Sequence, residues 1–242
     1  MPLATYKDLC IDAVDARRMG EFWAKVLDLD LEELDDGDTR LTGSTPQHTV
    51  WINTVPEPVS VKQRVHLDVA ARTVDDVLGL GASPVDLESF RWKVLRDPEG
   101  GELCVFERDS EALEPRLFEI VVDSVDPAAQ AAWWADVLDA TVGREENDRY
   151  SWVEGIVGAP FDYLVFVPVP EAKTVKNRIH IDVEAGDIPD IVGRGATRLR
   201  EPDDEVRWTV LADPEGNEFC AFEPRRINDD VDPLPPEADF PG

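Results

Sequence analysis

Apolar residues recur along the chain with two alternating periods. Leu9 and Ile11 stand between Asp8, Cys10 and Asp12, a spacing of two that predicts a strand over Tyr6 to Asp12. Asp15 then offers an N-cap. Met19, Phe22, Trp23, Val26 and Leu27 follow at i, i+3, i+4, i+7 and i+8, one apolar face of a helix. Strands are expected near Leu31–Leu34, Thr39–Thr42 and Thr49–Thr54. The pattern then restarts with a strand over Val65 to Val69 and a short helix over Val74 to Leu80, closed by Gly81. Strands near Val85, at Trp92–Arg96 and at Glu102–Phe106 complete this half. Asp97-Pro98-Glu99-Gly100 separates the last two and fits a tight turn, with Asp first, Pro second and Gly fourth.

The whole pattern is written twice. DAVDARRMGEFWAKVLD (from Asp12) matches DSVDPAAQAAWWADVLD (from Asp123), VKQRVHLDV matches VKNRIHIDV, and WKVLRDPEGGELCVFE matches WTVLADPEGNEFCAFE. The three offsets are 111, 114 and 116 residues, so small insertions fall in the loops between matched blocks. In the second copy Pro127 follows Asp126 at the favoured first-turn position, and the helix is expected to bury Trp133, Trp134, Val137 and Leu138. Two homologous domains are predicted, 1–110 and 115–226, followed by an acidic, Pro-rich tail over 227–242. Each domain reads as two strand-helix-three-strand modules.

Composition narrows the function classes. A formal net charge of −28 leaves no basic face for nucleic acid and disfavours anionic membrane. No apolar run is long enough to span a bilayer, and MPLATYKDLC carries no signal core. Three cysteines, an odd number without a pairing framework, fit reduced thiols. A cytoplasmic protein is expected. No GxSxG, P-loop or dinucleotide fingerprint is present.

Strand alternation selects the polar face. If Val65, Leu67 and Val69 face the helices, Arg64, His66 and Asp68 face away, and Arg178, His180 and Asp182 do so in the second copy. The first strands likewise offer Asp8, Cys10 and Asp12, or Glu119, Val121 and Asp123. The closing strands offer Cys104 and Phe106, or Cys220 and Phe222. Trp92 and Trp208 are candidates to line the same face, and His48 is expected in a surface loop. Lys62, Arg64, Lys176 and Arg178 stand out in so acidic a chain. They either hold an anionic ligand or pair with local carboxylates.

Paired βαβββ modules, FWAKVLDL-like first helices, VHLDV-like fifth strands and DPEGNEFCAFE-like closing hairpins resemble the vicinal oxygen chelate superfamily, and within it the glyoxalase-like domains. The resemblance covers nearly all of residues 4–224, twice. It implies an α+β fold of four βαβββ modules, with concave mixed sheets that each cup a small-molecule ligand. It also implies a fused pseudo-dimer, monomeric or paired again as a homodimer. Metal-using relatives place ligands on the first, fourth, fifth and eighth strands. Those positions fall here on Asp8 and Glu119, near Ile52/Asn53 and Phe166/Val167, on His66 and His180, and on Cys104 and Cys220. Cysteine stands where a glutamate is usual, and the fourth strand supplies no typical ligand. No cofactor is therefore expected. If a divalent ion (Zn, Ni, Mn or Fe) is held, Asp8, His66, Glu119 and His180 are its ligands. Three functions stay open: a lyase or isomerase using His66 or His180 as the acid–base group, a bleomycin-resistance-type protein that sequesters a drug or metabolite, and a metal-dependent glyoxalase or dioxygenase. Arg64, Asp68, Cys104, Trp92, Asp8 and their counterparts Arg178, Asp182, Cys220, Trp208 and Glu119 are the expected ligand contacts.

Overall fold

The computed structural model describes residues 2–145 and 149–224; the tail expected over 227–242 lies outside the described residues. The chain forms four βαβββ modules. The first holds β1 (Ala4–Ala13), α1 (Ala16–Leu27), β2 (Asp30–Glu33), β3 (Thr39–Thr42) and β4 (Val50–Thr54). The second holds β5 (Val65–Ala71), α2 (Val74–Leu78), β6 (Ser83–Asp86), β7 (Lys93–Arg96) and β8 (Glu102–Glu107). The third holds β9 (Leu117–Ser124), α3 (Pro127–Leu138), β10 (Thr141–Arg144), β11 (Ser151–Glu154) and β12 (Tyr163–Pro168). The fourth holds β13 (Ile179–Ala185), α4 (Ile188–Gly193), β14 (Thr197–Arg200), β15 (Thr209–Ala212) and β16 (Glu218–Phe222).

The modules pair across the sequence repeats. One eight-stranded sheet runs β14-β15-β16-β13-β1-β4-β3-β2 and joins the outer modules, first and fourth. The other runs β10-β11-β12-β9-β5-β8-β7-β6 and joins the inner modules, second and third. The seams are antiparallel, β1 with β13 and β5 with β9, while β1–β4, β5–β8, β9–β12 and β13–β16 are parallel. Each seam carries one irregularity, between Tyr6 and Asp8 and opposite it between Asp68 and Val69.

The expected alternation holds on the core side. Leu9, Ile11, Val65, Leu67, Val69, Leu103, Val105, Ile120 and Val183 are all buried in one continuous apolar core that draws on both repeats. Asp15 and Asp126 cap α1 and α3 by accepting from Arg18 N (3.0 Å) and Ala129 N (3.1 Å). Trp134 is buried as expected, but Trp133 is only half-buried. It lies at the edge of the apolar stripe, and its indole N–H donates to the Arg194 carbonyl at 3.0 Å. Among the described residues no helix is long and apolar enough to cross a membrane.

The DPEG turns do more than reverse the chain. Asp97 Oδ1 accepts from the amides of Glu99 and Gly101, both at 2.9 Å, and Gly100 takes the positive φ of 92° that the turn requires. Glu99 then reaches from the inner-module sheet to the start of α1 and accepts from Val14 N (2.9 Å) and Asp15 N (2.7 Å). Glu215, from the outer-module sheet, does the same for α3 through Val125 N (3.0 Å), Asp126 N (2.7 Å) and Ser124 Oγ (2.9 Å). Each turn glutamate therefore fastens one sheet to a helix corner of the other, at the electropositive end of that helix.

Candidate functional site

Each sheet presents a polar patch on the face away from the core, built where its two modules meet. In the inner-module sheet, β5 contributes His66 and Asp68, β8 contributes Cys104 and β9 contributes Glu119. Register sets Asp68 opposite Glu119 on one side and beside Cys104 on the other. His66 Nε2 lies 3.3 Å from Asp68 Oδ1. Glu119 thus comes from one repeat and its three neighbours from the other. Burial, and then the charge of Asp68, push the half-buried Glu119 carboxyl up to about 8. Burial and Asp68 also push the Cys104 thiol well above its ordinary range, so it stands as a thiol.

Above this floor rises an aromatic ladder. Phe90 stacks on Trp92 at 5.0 Å between centroids and 8° between planes, and Trp92 stacks on Phe106 at 5.5 Å and 21°. Phe106 meets Phe118 edge to face at 4.8 Å, and the Arg108 guanidinium lies 4.1 Å over Phe118. Phe118 occupies the irregularity in β9, so simple alternation from Glu119 does not find it.

The outer-module patch is built from the equivalent strands but packed differently. Asp8 on β1 opposes Asp182 on β13, Cys10 opposes His180, and Asp182 lies beside Cys220 on β16. Trp51 on β4 donates its indole N–H to Asp8 Oδ2 at 3.1 Å, and Lys7 pairs with the same oxygen. Lys7 also sits 4.2 Å over Phe222, which stacks on Trp208 at 5.1 Å. Asp8, Cys10, Asp182 and Cys220 are all buried. Burial, with Asp182 second, pushes Asp8 up to about 6. Burial pulls His180 down, but contact with Asp182 outweighs it and holds the imidazole above its ordinary value. The inner patch has Val121 where the outer has Cys10, Val165 where it has Trp51, and Phe118 where it has Lys7. Those changes leave Glu119 half-buried where Asp8 is 4% exposed. The two patches are therefore not equivalent, and the inner one is the more accessible.

Alternation identifies the floor residues His66, Asp68, Cys104 and Glu119 and their counterparts His180, Asp182, Cys220 and Asp8. Trp92 and Trp208 join them as ring partners of Phe106 and Phe222. Arg64 and Arg178 do not sit on either floor; they line a separate cleft between the segments that link the modules. On β4 and β12, Ile52 and Phe166 are fully buried in the core, and Trp51 is what reaches the outer patch. Its signal was available, as the alternate neighbour of Asn53 on one strand. Lys7 gave none, because the irregularity beside it breaks the period of two. His48 is half-buried in a short turn, with Nδ1 2.8 Å from Thr45 Oγ1.

The donor groups fit an octahedral metal centre poorly. The fourth-strand side chains Trp51 and Val165 offer no ligand, and Asp8 is already held by Trp51 and Lys7. Each patch does gather a three-donor set whose ligand atoms lie within 4.8 Å of one another: Cys10, His180 and Asp182, and His66, Asp68 and Cys104. Asp182 Oδ1, His180 Nδ1 and Asp68 Oδ1 are buried without a hydrogen bond among the described residues, although His180 Nδ1 and Asp182 Oδ1 are 3.0 Å apart. Thiol, imidazole and one carboxylate suit a soft tetrahedral ion rather than the octahedral one. Neither set includes Asp8 or Glu119, which the resemblance pointed to.

Comparison with known proteins agrees with this architecture. The sequence model described as the glyoxalase-like domain matches residues 8–106 and again residues 119–222. No curated protein matches. Glyoxalase I from Zea mays superposes with a TM-score of 0.60 at 12% identity, covering 91% of this chain and 92% of its own. A candidate dioxygenase from Bacillus subtilis gives 0.62 at 13% identity, covering 92% and 86%. At such identities the likeness is one of fold, and the chemistry has to be argued from the residues in place. With both repeats matched and all four modules in place, this chain belongs to the glyoxalase-like domain family of the vicinal oxygen chelate fold, as a tandem of two such domains.

Proposed function

We propose that the inner-module patch binds a small organic molecule and moves protons on it, as a lyase or isomerase that needs no resident divalent metal. The observation that carries this is the opposed pair Asp68 and Glu119, with His66 beside it, under an aromatic wall. Two neighbouring carboxyls that cannot both ionise near neutrality supply an acid and a base from like residues. Glu119, pushed up to about 8, stays protonated at pH 7 and donates to a carbonyl or hydroxyl oxygen of the substrate. Asp68, in contact with His66 Nε2, orients the imidazole, which takes a proton from the adjacent carbon. Return of that proton to a neighbouring carbon gives an isomer; loss of a leaving group from it gives a lyase product.

The outer patch, with Asp8 tied to Trp51 and Lys7, has the more structural role. A second reading, sequestration without chemistry, is favoured by the ladder from Phe90 to Phe118, which suits a planar ligand. A thermal-shift screen of metabolites followed by turnover assays on the hits separates the two. Turnover lost in His66→Gln with binding kept supports the proton-transfer reading. Tight binding with no turnover in the parent chain refutes it in favour of sequestration. Elemental analysis of untagged, chelator-free protein tests the metal claim. About one Zn, Ni, Fe or Mn per patch, lost when His66 and His180 are replaced, would overturn it.

A further inference from the structure

The segments that link the modules, 55–64 and 169–178, read VPEPVSVKQR and VPEAKTVKNR and are a further copy of the repeat. Residues from both segments line one cleft of about 480 Å³. That volume is within the usual range for a small-molecule site. Its walls include Lys62, Arg64, Lys176 and Arg178. Four of its fourteen lining residues are Lys or Arg, in a chain with 24 in 242, so the basic residues are concentrated here.

Their partners are exchanged between repeats. Lys62 pairs with Asp123, and Lys176 with Asp12. Arg64 Nη1 donates to the Glu171 carbonyl at 2.6 Å, and Arg178 Nη1 donates to the Glu57 carbonyl. The symmetry then breaks. Arg178 Nη2 has the carboxylate of Glu99 at 3.2 Å. Glu215, the counterpart of Glu99, holds the start of α3 just as Glu99 holds that of α1, but Arg64 has no carboxylate partner among the described residues. Arg64 thus meets a neutral carbonyl where Arg178 meets both a carbonyl and a carboxylate. The Nε groups of both arginines are buried without an acceptor among the described residues. A guanidinium with an unused, desolvated donor edge suits a planar oxyanion. Of the two lining acids, Asp12 pairs with Lys176, and the carboxylate of Glu57, exposed at the rim, has no cationic partner among the described residues.

We propose that this cleft binds a small oxyanion, a phosphate or carboxylate group, with Arg64 as its principal contact and Arg178 as the second. The site is separate from both polar floors, none of whose residues lines it. The inference does not depend on the proton-transfer reading of the inner patch.

Calorimetric titration of the full chain with inorganic phosphate, and separately with succinate, at low ionic strength tests it. Saturable binding of one anion per chain is expected, at least tenfold weaker in Arg64→Gln and unchanged in His66→Gln. It should weaken with added salt. Saturation by only one of the two probes assigns the anion class and supports the site. Arg64→Lys keeps the charge and the fold but loses the planar fork, so partial weakening there supports direct contact. No saturable heat with either probe overturns the proposal, and so does equal affinity in Arg64→Gln. Loss of binding in His66→Gln would also overturn it, by placing the anion on the inner floor. A lower Tm in Arg64→Gln with no anion binding by the parent would mean that these residues only strap the repeats together.

Discussion

Replacing Glu119 by Gln isolates the charge at the seam of the inner-module sheet. The amide keeps the size of the carboxyl and removes its titration. Glu119 is raised from an ordinary 4.5 to about 8, first by burial and then by the charge of Asp68. An acid whose folded value lies above its unfolded one favours the folded state when protonated. That contribution is fully present below pH 4.5 and is lost as the pH rises through about 8. In a dry site the displacement would be worth about 5 kcal/mol; for a half-buried group, screening by solvent reduces the expected cost to about 1–2 kcal/mol. Glu119→Gln should therefore match the parent at pH 4 and exceed it at pH 9. The gain at pH 9 corresponds to a rise in Tm of about 2–8 °C for a chain of this size. Urea unfolding of both proteins at the two pH values is the assay. Asp8 and Asp97, both also raised to about 6, titrate equally in the two proteins and cancel in the difference. A variant no more stable than the parent at pH 9, or stabilised equally at pH 4, would refute the claim that Glu119 and Asp68 repel each other across the seam.

Three further outcomes are expected. His66→Gln should lower turnover of any substrate by about 10²–10⁴ with little change in ligand affinity, read by steady-state kinetics beside calorimetry. Gly20→Ala, which in an open helix would gain about 1 kcal/mol, should instead cost about 1–3 kcal/mol by denaturant unfolding. The added Cβ would meet Thr39 Oγ1 at 2.4 Å and Leu31 at 3.0 Å. Glu215→Gln should cost about 1–2 kcal/mol through loss of charge-assisted bonds to the start of α3. Glu99→Gln should cost more, since it also leaves Arg178 without its carboxylate, and the ranking is checked by comparing the two Tm values.

Local pattern carried far in this chain. The period of two in Tyr6–Asp12 and Val65–Val69, the period near 3.6 from Met19 to Leu27, and the turn chemistry of Asp97 to Gly100 are short-range properties. They determined the elements and which faces of the strands are polar, so His66, Asp68, Cys104 and Glu119 were legible as one set with their counterparts. The internal repeat determined that there are two of everything. What the sequence could not determine was partnership between distant segments. Repeat copies carry the same edge pattern on β1 and β9, and on β5 and β13, so a seam between β5 and β9 and one between β1 and β5 look alike along the chain. The folded structure decides it by pairing outer with outer and inner with inner modules, which draws Glu119 from one repeat onto Asp68 of the other. Only tertiary structure also made the patches unequal. Lys7 and Trp51 close over Asp8, while Phe118 and Val165 leave Glu119 half-exposed, because side chains from three strands meet there and an irregularity beside each seam shifts which of them turn inward. The DPEG turn shows both limits together: its geometry was written in four residues, but the corner that its glutamate fastens lies on the opposite sheet.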